Sequence, residues 1–278
     1  MKYHRLISAL ILLPLVLIPM ILGHPWFDIF LVIVGFLAIA EWFLICQKSC
    51  PVNQKIASQT MLMLAVPVLL FLIIIAVLAG TSRSENIVIF SAITVGLMVV
   101  LFLMAWRLKI CALFLSWLGV IYIAMAIYAM LWLRYEGPLG LYNILWLFLV
   151  VWATDIFAMV VGKKVKGPRL APRISPNKTW SGLVGGMIAA STVSFIFAYM
   201  QDSPYLLLCT VLGAVFGIIE QMGDLLESML KRKFGVKDSS QLIPGHGGVL
   251  DRIDGLLLLS ICMALIFYFL KIEWWKLA

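Results

Sequence analysis

Nine long apolar runs separated by short polar breaks constrain this chain more than any other feature; they fall near 6–23, 26–45, 61–79, 86–104, 110–133, 141–162, 182–200, 205–226 and 255–273. A helix needs roughly 20 mostly apolar residues to cross the hydrocarbon core of a bilayer, and the runs match that length. Membrane barrels are built instead from alternating segments of about 10 residues, so runs this long predict helices. A soluble globular domain is excluded, because 64% of the 278 residues are hydrophobic, only 12% are charged and the mean hydropathy is +1.09. The expected fold is all-α: a polytopic integral membrane protein of about nine transmembrane helices. With no repeat, linker or low-complexity tract between the runs, residues 1–278 read as one integral domain, with an N-terminal membrane part over about 1–149 and a catalytic part over about 150–278.

Basic residues set the expected orientation, since Lys and Arg bias a loop towards the cytosol. With the N-terminus inside, all of the 21 Lys and Arg except Arg83, Arg134, Lys271 and Lys276 fall on the cytosolic side. This alternation favours nine crossings with an external C-terminus. The first run follows Lys2 and Arg5 but lacks a small-residue cleavage site, so it reads as an uncleaved anchor rather than a signal peptide. The formal net charge of +8 fits a protein facing anionic headgroups, and nothing in it calls for nucleic acid. The five cysteines (Cys46, Cys50, Cys111, Cys209 and Cys262) show no spacing suited to a disulfide framework.

Polar chemistry concentrates in two stretches that the predicted topology places on one side of the membrane. The first combines Asp155, a carboxylate inside an apolar run, with a basic loop and the string Ser175, Pro176, Asn177, Lys178, Thr179, Trp180, Ser181, Gly182. A carboxylate in hydrocarbon is costly, so Asp155 is expected to face a polar cavity or the bundle interior, either as a functional group or as the partner of a structural Lys. Lys163, Lys164 and Lys166 have a plainer reading as a juxtamembrane loop that fixes topology. Lys178 differs: Pro176 and Asn177 punctuate the chain just before it, presenting its ammonium and the Thr179 hydroxyl at a helix entrance, where free backbone N–H groups attract phosphate.

In the second stretch Glu220, Asp224, Glu227 and Lys231 recur at four, three and four residues, which puts all four on one helical stripe. Three carboxylates so near a membrane need positive charge beyond Lys231, and a divalent cation supplies it. Beyond this stripe come Lys237, Asp238, Pro244, Gly245, His246, Gly247, Gly248, Asp251, Arg252 and Asp254. The glycines form a turn whose backbone can approach phosphate closely. Asp224 and Asp251 offer the hard oxygen ligands that Mg²⁺ takes when substrate phosphates complete its shell. Zinc is disfavoured, because His246 is the one histidine near the acids. Asp254 with Arg252 also fits a capping and ion-pair arrangement, and Glu220 or Glu227 a hydrogen bond to a neighbouring helix.

The set Ser228, Lys231, Arg232, Lys237, Asp238, Pro244, His246, Gly247, Gly248, Asp251, Arg252 and Asp254 resembles the signature of the phosphatidate cytidylyltransferase family, and the string from Ser175 to Gly182 resembles that family's second characteristic region. Ser181 stands where many members carry an acidic residue. The first five runs match in hydrophobic character alone. The resemblance implies a membrane transferase that uses CTP and phosphatidate, depends on Mg²⁺ and holds a second cation such as K⁺ nearby. It further implies Asp224 and Asp251 as metal ligands with Asp254 beside them, and Lys178, Lys231 and Arg252 on phosphates. Asp155, Asn177, Thr179, Ser228, Lys237, His246, Gly247 and Gly248 are the expected substrate-side residues. The expected partners are CTP, phosphatidate of the inner leaflet and membrane lipids, with a homodimer as one assembly. The setting is a bacterial inner membrane with the site facing the cytosol.

The implied chemistry agrees with elementary physics. A phosphate oxygen is already ionised at neutral pH, so the nucleophile needs no general base. Assembling polyanions and stabilising the leaving pyrophosphate are tasks for metal and Lys/Arg, and the lack of a Ser/His/Asp or Cys/His constellation fits. Other readings are a CTP-dependent transferase or kinase for another lipid phosphate or lipid alcohol, an ion-coupled transporter, and a noncatalytic lipid-binding protein. A transporter would gather its charges near the midplane and show repeats, whereas a scaffold has no use for this array of Asp, Lys and His-Gly-Gly.

Overall fold

The computed structural model describes residues 13–47, 113–243, 247–271 and Trp274. Their element order is α1 (Leu13–Leu22), α2 (Trp26–Gln47), α3 (Leu113–Tyr135), α4 (Gly140–Val165), β1 (Arg169–Ala171), β2 (Ser175–Thr179), α5 (Trp180–Met200), α6 (Leu206–Lys233) and α7 (Leu250–Leu270). The chain is mostly helical, as its apolar runs require. Among the described residues, six helices are long and apolar enough to cross a membrane, α1 being shorter. The expected spans at 61–79 and 86–104 lie outside the described residues, as do Pro244, Gly245 and His246.

One element departs from the all-helical expectation: an antiparallel hairpin in which Arg169 pairs with Thr179 and Ala171 with Ser175. The physical reason lies in its prolines. Pro168, Pro172 and Pro176 disfavour helix at the residues before them, so the loop between α4 and α5 takes extended backbone and satisfies its polar groups across a two-stranded ladder.

Two compact units make up the structure, one comprising residues 1–131 and 234–252, the other 132–233 and 253–278. In the second, α4 packs on α5 and α5 on α6. Small residues make this possible: a Cβ on Gly185 would stand 2.6 Å from Cβ of Val161, and one on Gly182 would stand 2.8 Å from the Ala158 carbonyl oxygen. Gly213 and Gly217, whose spacing fits packing within or between chains, face Ala190 of α5 in the same chain. Trp146 is fully buried at the centre of this unit, against Phe216, Phe267 and Trp274, and its Nε1–H donates to Ser194 Oγ at 2.8 Å.

Helix α6 has 28 residues, about 42 Å at 1.5 Å per residue, and so exceeds the roughly 30 Å hydrocarbon core by about two turns. The polar C-terminal part carrying Glu220, Gln221, Asp224, Glu227 and Lys231 runs from within a core-length stretch into that surplus. At its end Arg232 Nε–H donates to the Ile174 carbonyl at 3.3 Å, fastening the helix to the tip of the hairpin.

Candidate functional site

In the second unit the hairpin delivers Lys178 to the acidic stripe of α6. Thr179 ends β2 and caps α5, its hydroxyl accepting from the Gly182 N–H at 3.1 Å. Ser181 Oγ donates to the Lys166 carbonyl, tying the start of α5 to the end of α4. With the strand end fixed in this way, Lys178 Nζ lies 2.6 Å from Asp224 Oδ2, both side chains being partly solvent-accessible. Ser228, one turn further along α6, donates to Asp224 Oδ1 at 3.2 Å. Asn177 is exposed on β2 beside them.

Around this pair the charges do not balance. Asp155, Asp224 and Asp254 and the Lys178 ammonium all lie within electrostatic range of Glu220, and Asp254 also feels Lys231. Lys231, however, is buried and pairs with Glu227 at 2.9 Å. Among the described residues, the four carboxylates are therefore left largely to the Lys178 ammonium, which is itself paired with Asp224. Glu220 is 1% exposed, and its Oε2 has no hydrogen-bond partner. It packs on Gly255, where a Cβ would stand 2.5 Å from Oε1. Asp155 is exposed on α4.

Such an arrangement suits a cation. An orphaned buried carboxylate oxygen beside three further acids calls for positive charge. Among the described residues, no three His, Cys, Asp or Glu side chains form a complete metal cage.

In the first unit, Asp251 is organised by its own loop. Its Oδ2 accepts from the Ser239 backbone N–H at 2.9 Å and the Gly248 N–H at 2.8 Å, and lies 2.9 Å from Ser239 Oγ, whose single proton is shared with Glu41. Gly247 takes φ +82°, a backbone region that only glycine enters freely, and a Cβ there would stand 2.5 Å from Asp251 Oδ2. A Cβ on Gly248 would collide with Ser239 Oγ and the Glu41 carboxylate. The two glycines are thus required by the close approach of loop and acid. Lys237 and Arg252 are exposed in this unit, and His246 lies outside the described residues.

Sequence reasoning missed Glu41. This residue of α2 is 4% exposed, and its carboxylate accepts four hydrogen bonds: Ser240 Oγ at 2.6 Å and the Val249 N–H at 2.9 Å on Oε1, Ser239 Oγ at 2.9 Å and the Leu250 N–H at 2.8 Å on Oε2. The signal was present, since Glu41 is an acid inside an apolar run, the same feature that singled out Asp155.

The sequence has counterparts among known proteins. The sequence pattern of the cytidylyltransferase family matches residues 3–270. A phosphatidate cytidylyltransferase of Brucella melitensis is 49% identical over 138 residues, which is 50% of this chain and 51% of that protein, so the chain spans about half the length of this relative. One from Rickettsia conorii is 28% identical over 273 residues, covering 95% of this chain and 90% of its own. One from Haemophilus influenzae is 46% identical over 122 residues, 42% of each. With a family pattern running through both units and nearly the whole sequence, the chain belongs to the cytidylyltransferase family.

Proposed function

We propose that this chain is a phosphatidate cytidylyltransferase, joining CTP and phosphatidate to give CDP-diacylglycerol and pyrophosphate. The observation that carries the reading is the convergence of Lys178 and Asp224, from two separate chemistry-bearing stretches, beside a buried acid without a hydrogen-bond partner. The names of the relatives point the same way.

The lipid phosphate is its own nucleophile and attacks the α-phosphorus of CTP in line, with pyrophosphate leaving. Lys178, Lys231 and Arg252 neutralise phosphate oxygens, and Asp254 stands beside the metal ligands. Asn177, Thr179, Ser228, Lys237, His246, Gly247 and Gly248 contact the nucleotide or lipid headgroup, and Asp155 seats substrate or cation. Asp224 and Asp251 are the proposed ligands of Mg²⁺, with a second cation such as K⁺ nearby. When bound, Mg²⁺ supplies charge neutralisation on nucleotide oxygens. The chain crosses a bacterial inner membrane nine times with its N-terminus and active site in the cytosol, and a homodimer is a compatible assembly.

Purified protein incubated with CTP, Mg²⁺ and a panel of lipid phosphates tests this. A CDP-lipid identified by mass, formed from phosphatidate in preference to other lipid phosphates, is the expected product. A phosphorylated lipid would point to a kinase, and the absence of CTP turnover would end the proposal.

A further inference from the structure

We infer that Glu41, the acid in the second half of the mostly apolar helix α2, is a positioning residue: it clamps the segment between Ser239 and Leu250 and thereby sets the direction of the Asp251 carboxylate. The inference rests on the proposed role of Asp251 in the reaction. Both oxygens of Glu41 are used, each by one hydroxyl and one backbone N–H. The two backbone donors, Val249 and Leu250, open α7, where a helix leaves N–H groups without intrahelical partners and its dipole favours negative charge. A distant helix thus caps the helix that carries Asp251 and Asp254.

Coupling to Asp251 runs through Ser239. Its hydroxyl lies 2.9 Å from Glu41 Oε2 and 2.9 Å from Asp251 Oδ2, and its backbone N–H donates to Asp251. Ser239 is 3% exposed, so no bulk water replaces either contact. Glu41 also lies against Gly248, whose N–H donates to Asp251 Oδ2 as well. Moving the Glu41 carboxylate therefore moves both residues that aim Asp251. Glutamine cannot substitute: whichever way its amide turns, its NH₂ faces a backbone N–H, donor against donor.

The test compares full-length wild type with Glu41→Gln, Glu41→Asp and Ser239→Ala in detergent. It reads kcat and KM for CTP and phosphatidate, and separately reads Mn²⁺ binding to nucleotide-free protein by electron paramagnetic resonance. Glu41→Gln is expected to lower kcat at least 30-fold and weaken Mn²⁺ binding at least 5-fold, with KM for phosphatidate changing less than 3-fold. Glu41→Asp, which keeps the acceptors on a shorter stem, is expected to recover part of the kcat. Ser239→Ala leaves the Glu41 bonds to α7 in place, so it tests the coupling even if Glu41→Gln fails to fold; at least a 5-fold loss of kcat is expected. Wild-type kcat and Mn²⁺ affinity in folded Glu41→Gln, or in Ser239→Ala, would overturn the inference. Inactive wild type would instead defeat the proposed function, and the Mn²⁺ comparison would still decide whether Glu41 positions Asp251.

Discussion

Lys178 and Asp224 meet at 2.6 Å, one at the end of a strand and the other midway along the polar part of α6. The lysine approaches the acidic stripe as a cation would, and it is held there by a capped helix start rather than by the ion pair alone. Removing the acid should therefore leave the lysine in place. Asp224→Asn is expected to lower CDP-lipid formation at least 100-fold while the protein keeps its elution volume and helical circular dichroism in detergent. Full activity would remove Asp224 from the metal assignment.

Lys178→Met deletes a charge that the proposed transition state needs more than the ground state does. Loss of one such stabilising group typically costs about 10²–10³ in kcat, and a fall of that order is expected in steady-state assays. Because the two side chains touch, Lys178→Met combined with Asp224→Asn should cost less than the product of the single effects.

Lys231 and Glu227 form a buried ion pair, each side chain 8% exposed. Removing one member of such a pair costs about 3–5 kcal/mol, because the other charge is left buried and uncompensated. Lys231→Met should accordingly lower the thermal midpoint in detergent. Adding Glu227→Gln should restore much of the stability; turnover should stay low if Lys231 also meets phosphate, and recover if the pair is purely structural.

Gly255→Ala places a methyl group against Glu220 Oε1. Overpacking of this kind costs about 1–3 kcal/mol, and here it also displaces a buried acid of the candidate cation site. A lower thermal midpoint is expected, together with a higher Mg²⁺ concentration for half-maximal activity.

Chelation provides the simplest control. EDTA should abolish turnover, Mg²⁺ should restore it, and neither should unfold the chain, since its helices are held by packing rather than by metal.

The spans were legible because hydrophobic length alone determines them: 141–162 became Gly140–Val165, and 182–200 became Trp180–Met200. The largest extension was at 205–226, which became Leu206–Lys233, because a helix can continue past the apolar run once its charges pair with one another and with the hairpin. The stripe of Glu220, Asp224, Glu227 and Lys231 was readable from helical periodicity. Its internal pairing was not, since spacing alone does not say that Lys231 would settle on Glu227 while Lys178 went to Asp224. Thr179 was placed correctly at a helix entrance by the prolines and the polar string before it. Glu41 could have been singled out as an acid inside an apolar run, but its partners, Ser239 to Leu250, lie about 200 positions away, and no local pattern reports a contact of that range.

The glycine seam between α4 and α5 has a bearing on how the site can respond to ligands. With Gly182 and Gly185 seated on Ala158 and Val161, neither helix can slide along the other without steric collision. The hairpin that links them inherits this rigidity, so the aim of Lys178 is fixed when the chain folds rather than anew at each turnover. Adjustment to substrates of different size must then come from parts of the chain other than this arm.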